Sequence, residues 1–507
     1  MRRDDPRSRE LADPGWGDWE SQRALQQSIV DQFFPWMIAA SVAPRRLIFS
    51  HELGWDIEKL QSWTRFKKVF SLYNTLDHLA EAHGVGTFPG PGECWHIGGD
   101  QRKSLEPTLE KWFGVPIPFS DLSNSVHANL TKEPGDRRPE SELDVLNPAI
   151  ASELKMRSVH ELTHQIGRSK VAAARSQLAE LEPRLRQEWI RSKWKSKLRD
   201  IEPNSRPQAI LHWSKRVPNG EVEAITLDVE PGIVVPLLLL RPAASLKKRV
   251  PIVVGVSEGG KEGFLAARSH EIEGLLKAGL AVCLPDVRGT GETSPTPRRD
   301  PDGDTIDGDE IVLSSTELML GQTLLGQRLK DLRTVLAYLR SRPDIDSGRL
   351  GLWGDSFVPV NPAHLLIDEQ PNWQIGPEIQ HQAEPLGGLL ALLGALYENN
   401  LRAIAIRRGL SSYLSILEDR FTYVPEDIIV PGILEDGDIA DATAALAPRP
   451  LLIEGLVDGR NRAVSEDVLR QEIGPVYKAY QEKSPDALTV RSGEPISDFA
   501  EWFRGHM

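Results

Sequence analysis

Cysteine is nearly absent from this chain, with only Cys94 and Cys283 among 507 residues. Two thiols so far apart exclude a disulfide framework and a cysteine-rich metal site, and both are expected to be free and buried. A basic surplus is missing too. The net charge is -13 and the pI is near 5.5, so no broad cationic surface is offered to a phosphate backbone and no nucleic-acid partner is expected. The run SKWKSKLRD (192–200) reads as a solvated helix face. Long apolar runs are also lacking. Nothing approaches the ~20 consecutive apolar residues of a membrane span, and the N-terminal MRRDDPRSRELADPGWGDWE has no signal-peptide core. As written, the chain is expected to be soluble, without a membrane partner, and cytoplasmic by default.

What is present begins with length. A chain of 507 residues is too long for one core, so two or three units are expected. From about 206 onward, short apolar runs alternate with amphipathic helices: VPIVVGV (250–256), GLAVCLPD (279–286), RLGLWGD (349–355), LRAIAIRR (401–408) and RPLLIEGL (449–456). Such near-continuous runs suit strands buried on both faces of a mostly parallel sheet, and EAITLDVEPGIVVPLLLLRP (223–242) suits an antiparallel hairpin leading into it. The expected fold class is α/β. An earlier stretch, IAASVAPRRLIFSHELGWD (38–56), is similar to IADATAALAPRPLLIEGLVDGRN (439–461), which suggests a partial first copy of the same unit. Between them the pattern is helical and charged. The expected organisation is a partial unit at 1–125, a helical connector at 126–205 and a complete α/β unit at 206–507. A partial unit exposes apolar sheet surface, which favours docking onto the rest of the chain or pairing into a homo-oligomer.

Two motifs suggest chemistry. The first, RSVHELTHQIG (157–167), carries His160, Glu161 and His164 at the H-E-x-x-H spacing of zinc peptidases. It lies in the connector, with no strand to align a peptide, with Lys170 where one peptidase group has its third histidine, and with Glu180, Glu182 and Glu188 as the remaining third-ligand candidates. A surface helix without zinc is therefore expected, and zinc peptidase is kept only as a remote alternative.

The second is RLGLWGDSFVPVNP (349–362), in which a strand runs into Gly354-Asp355-Ser356 as at a nucleophile elbow, with Val358 where G-x-S-x-G has its second glycine. PDVRGTGET (285–293) and VSEGGKEG (256–263) follow neighbouring strands, and GLVDG places Asp458 after a later strand, in the order Ser then Asp of these hydrolases.

With those residues in view, 206–507 resembles the α/β-hydrolase superfamily, nearest to acetyl xylan esterase-like and dienelactone hydrolase-like proteins, and 30–120 resembles the closing part of a second such unit. The resemblance implies a mostly parallel sheet with helices on both faces and ester cleavage through an acyl-serine, often on acetyl groups of polysaccharide. Ser356 is then the nucleophile, Asp458 the acid that orients a base, and the amides of Phe357 and of Glu258 the oxyanion donors. No cofactor and no metal are implied. The family's histidine, however, belongs in the loop that here reads LTVRSGEPISDFAEWF (488–503), which has none. His96, His364, His381 and His506 are the alternatives, and His381 is the candidate base because it precedes the helix expected beneath the nucleophile. Residues 358–383 read as an insertion over the site. A degenerate hydrolase serving as a binding or scaffold protein is the rival expectation.

Overall fold

The computed structural model describes residues 26–51, 56–84, 99–114, 145, 148–154, 157–218, 220–243, 248–294, 309–363, 381–419, 423–493 and 496–507. His96, His364 and Cys94 lie outside them. Two compact units are present, Met1–Met156 and Arg157–Met507.

In the first unit, α1 (Pro35–Ala40), β1 (Leu47–His51), α2 (Gln61–Leu72), β2 (Leu79–His83) and α3 (Gly99–Phe113) follow one another. The two strands pair in parallel, Leu47 beside Leu79. Among its described residues, Ala40, Trp63 and Phe66 form one buried cluster, and Phe70 and Ala82 are buried as well.

The second unit opens with α4 (Val159–Glu180) and α5 (Pro183–Leu198). These are the helices expected as a connector, yet they join the main core: Ile190, Trp194 and Leu198 are fully buried with strand residues such as Ile225 and Leu227. The unit boundary thus falls between Met156 and Arg157, because helices that bury a tryptophan in this core cannot be a free linker.

Next come the strands β3 (Ala209–Val217), β4 (Gly220–Glu230), β5 (Ile233–Pro242) and β6 (Val250–Val256). Helices α6 (Gly260–Ala267) and α7 (Ser269–Lys277) lead to β7 (Ala281–Pro285), and α8 (Asp309–Met319) and α9 (Leu324–Ser341) lead to β8 (Ile345–Gly354). The chain closes through α10 (Leu386–Tyr397), β9 (Leu401–Arg407), α11 (Ile439–Ala444), β10 (Leu451–Glu454), α12 (Glu466–Glu472), α13 (Gly474–Lys483), β11 (Leu488–Arg491) and α14 (Phe499–His506).

All of these strands after β2 build one nine-stranded sheet, ordered β11-β10-β9-β8-β6-β7-β5-β4-β3. β3, β4 and β5 are antiparallel and β5 joins β7 antiparallel, whereas β7, β6, β8, β9, β10 and β11 run parallel. The hairpin expected at 223–242 is β4 and β5, and the apolar runs are β6 to β10. β3 was not foreseen. One face is covered by α9 and α10, the other by α6, α7 and α14 through Phe264, Leu275 and Phe503. That is the α/β architecture expected for parallel strands apolar on both faces.

Helix α10 sits unusually close to the sheet. It is buried from Leu386 to Leu396, as a helix apolar on all sides must be. Its Gly387 lies against Gly354, where a Cβ would run into the Gly387 carbonyl. That contact sets the helix start beside the end of β8.

Candidate active site

Loops leaving the C-terminal ends of β6, β7, β8, β9 and β10 meet at one rim of the sheet, where ligands bind in open α/β folds. Ser356 stands there two residues past β8 and is 3% exposed. Its hydroxyl has no hydrogen-bond partner among the described residues, while its carbonyl accepts from Arg268 Nη2 at 3.5 Å. Directly before it, Asp355 is buried and held on three sides: Arg268 donates through Nε at 2.8 Å and Nη2 at 3.0 Å, Trp353 Nε1 donates at 3.0 Å, and the Ser356 amide at 2.9 Å. Burial pushes the Asp355 carboxyl up against the downward pull of Arg268.

After Ser356 no helix follows directly. Ser356 is not among the described positive-φ positions, and residues 357–363 run on irregularly before the chain returns at His381. Two asparagines that sequence reasoning missed stitch the outgoing and returning segments to the loop after β10. Asn361 Nδ2 donates to the His381 carbonyl at 2.9 Å and the Arg460 carbonyl at 2.8 Å, and Asn461 Nδ2 to the Pro359 carbonyl at 2.9 Å. Asn461 has φ 56, a backbone state that asparagine tolerates better than most residues. That is the one local signal that could have marked it.

The expected oxyanion donor has a partner already. The Phe357 amide donates to Glu384 Oε2 at 3.4 Å, and its ring is fixed edge-on to Phe264 at 5.1 Å. Glu258 stands in the loop after β6, its carboxylate 3.6 Å from the buried Arg328 guanidinium, which also pairs with Asp427. Asp286 braces this loop by accepting from the amides of Lys261 (2.7 Å) and Glu292 (2.9 Å) and from the Lys261 ammonium. The left-handed Gly260 (φ 58) is required where the turn passes Asp286.

Asp458 and His381 share a loop cluster, but their side chains do not meet. The Asp458 carboxylate accepts from Arg462 Nε at 2.9 Å and Nη2 at 2.7 Å and from the amides of Arg460 and Arg462, both at 2.9 Å. His381 is joined to the cluster through its backbone, donating to Asn361 Oδ1 at 3.0 Å, while the residue itself is exposed. Its ring forms no hydrogen bond among the described residues. His506 is occupied with the Trp502 carbonyl at 2.7 Å.

A row of charges runs along the ends of β8, β9 and β10. Arg268 lies 3.8 Å from Glu271, Arg407 pairs with Glu271 at 3.2 Å and with Glu454 at 2.7 Å, and Glu454 Oε1 takes the amide of Ile496 at 2.7 Å. Ile496 belongs to the loop in which the family resemblance implies a histidine. Cys283 is no alternative nucleophile, since burial pushes its thiol up to about 12.

Within the H-E-x-x-H motif, Glu161 and His160 both contact the helix cap. Ser158 caps α4, its hydroxyl accepting from the Glu161 amide while the Glu161 carboxylate takes the Ser158 amide at 2.8 Å. Those bonds hold the Glu161 carboxyl below its ordinary range. His160 Nδ1 lies 2.8 Å from the same hydroxyl. Among the described residues, no group of three or more His, Cys, Asp and Glu could hold a metal ion.

No family model and no curated protein matches the chain. Solved structures similar to it include a candidate acetyl xylan esterase of Bacteroides fragilis, at 17% identity and TM-score 0.47 over 69% of this chain and 89% of that one. A methylesterase matches at 18% identity and TM-score 0.42, over 66% of each chain. Acetyl xylan esterase 1 from Thermoanaerobacterium sp. matches at 14% and 0.37, over 62% of this chain and 92% of that one. Likeness at this level leaves activity and substrate to the site itself.

Proposed function

We propose that the second unit is a serine-dependent carboxylic ester hydrolase acting on acyl esters, acetyl esters above all, of carbohydrate. One placement supports this reading: Ser356, with a hydroxyl unpartnered among the described residues, stands at the C-terminal end of a parallel strand inside the sheet, beside the loop after β6. The carbohydrate preference rests on the resemblance of the elbow, the DVRGTGE loop and the APRPLLIEGLVDG segment to esterases of that kind.

In this mechanism the Ser356 oxygen attacks the ester carbonyl as His381 takes its proton, and Asp458 orients the imidazole. The amides of Phe357 and Glu258 hold the developing oxyanion. The alcohol leaves with the proton from His381, and water then repeats the sequence to free the acid. Two rearrangements are needed first. Glu384 has to leave the Phe357 amide, and Asp458 has to exchange Arg462 for the histidine.

Those same contacts favour a second reading, a hydrolase fold without turnover that serves as a binding or scaffold protein. Arg462 already satisfies Asp458, and the row from Arg268 to Glu454 adjoins the loop where a histidine would belong. Reaction of the purified full chain with a fluorophosphonate ester separates the two. Covalent labelling that disappears in a Ser356→Ala variant supports the esterase; folded protein that stays unlabelled supports the scaffold.

A further inference from the structure

A cleft of about 300 Å³ lies in the second unit, between α4 and the segments 413–417 and 429–435. Ser356, Asp458 and His381 are not among its lining residues. Thr163, Ile166, Gly167 and Lys170 recur at helical spacing, so one face of α4 forms a wall. The opposite walls are aliphatic, Ile416, Leu417 and Ile433 among them. Tyr413 adds a ring without a free polar end, because its hydroxyl donates to the Ile428 carbonyl at 2.8 Å.

The rim decides the ligand. Lys170 pairs with Glu435, and Lys197 reaches the other oxygen of the same carboxylate at 3.0 Å. Between them the two ammonium groups hold the Glu435 carboxyl down at about 2. Glu435 would therefore stay paired with Lys197 if Lys170 turned to another anion. The exchange costs little, since both Lys170 and Glu435 are roughly half exposed and pairs of that kind are weak. An aliphatic cleft with one transferable ammonium at its mouth matches an aliphatic chain that ends in a carboxylate. A closed apolar cavity of about 150 Å³ accepts benzene, so about twice that volume suits roughly ten heavy atoms.

We propose that this cleft binds a medium-chain aliphatic carboxylate, with the chain between α4 and the 429–435 segment and the head group on Lys170. The site is separate from Ser356 and does not depend on ester hydrolysis.

Calorimetric titration of the full chain with octanoate, and with octan-1-ol as the uncharged control, tests it. Octanoate should bind, and a Lys170→Gln variant should weaken it about tenfold while leaving octan-1-ol within about twofold. A Thr163→Trp variant, which fills the cleft, should weaken both about tenfold. Thermal melting confirms that each variant is folded. Absence of octanoate binding, octanoate binding that Lys170→Gln leaves unchanged, or binding that survives Thr163→Trp overturns the proposal. Methyl octanoate binding as tightly as octanoate would also overturn it, by showing that the head-group charge is not read.

Discussion

Arg268 grips Asp355 through two hydrogen bonds, at 2.8 and 3.0 Å, immediately before the candidate nucleophile. Asp355 is fully buried and the Arg268 side chain is 19% exposed, so the pair sits where loss of one partner strands a charge. Arg268→Ala is expected to cost about 3 kcal/mol, read from denaturant unfolding at neutral pH. The sign with pH follows from the carboxyl. Burial raises its folded-state pKa, so the ionised form weakens the fold at high pH and the penalty is relieved below that pKa. Without Arg268 the pKa rises further. The gap between parent and variant should therefore narrow as pH falls from 7.5 toward 5, and a gap that widens would contradict this account.

Glu384 holds the amide that an oxyanion would need. Glu384→Ala is expected to speed fluorophosphonate labelling of Ser356 by about tenfold, the factor that one charged hydrogen bond of about 1.4 kcal/mol represents. A slower reaction would show that Glu384 assists the serine instead.

His381 is exposed and, among the described residues, is hydrogen-bonded through its backbone alone, so His381→Ala should leave the melting temperature within about 1 °C. If His381 is the base, turnover on an activated acetyl ester should fall as far as in Ser356→Ala. Unchanged turnover beside a dead Ser356→Ala variant would show that His381 is not the base.

The capping box at Ser158 and Glu161 gives Glu161 a local role that needs no metal. Metal analysis after dialysis should find no zinc, added zinc should leave thermal melting unchanged, and Ser158→Ala should lower the melting temperature slightly by fraying α4. One equivalent of zinc lost in His160→Ala would restore the peptidase reading.

The described residues of the first unit place a cluster of Ala40, Trp63 and Phe66 beside a two-stranded parallel sheet, and a two-stranded sheet is marginally stable by itself. Residues 1–125 expressed alone are expected to show no cooperative thermal transition. A sharp melt would mean that the unit is a complete fold and not a partial copy.

Local pattern determined much of this protein by itself. The apolar runs that became β6 to β10 were legible because strands buried on both faces admit almost no polar residue, and the missing histidine at 488–503 was legible by inspection. Ser158 and Glu161 carry a local signature as well, since a serine three residues before a glutamate marks a helix start. Which donor each carboxylate holds was decided only by the tertiary structure. Glu384 reaches the Phe357 amide from 27 positions along the chain, and Asn361 meets Arg460 and Asn461 from a loop about a hundred positions away. Periodicity reports which face of an element is buried. It carries no information on how loops from five strand ends converge, and a side chain's partner is set by distances of a few ångströms at that convergence. For the same reason Asp458 could be placed after its strand from sequence, while its pairing with Arg462 in preference to a histidine became visible only once the loop had a shape.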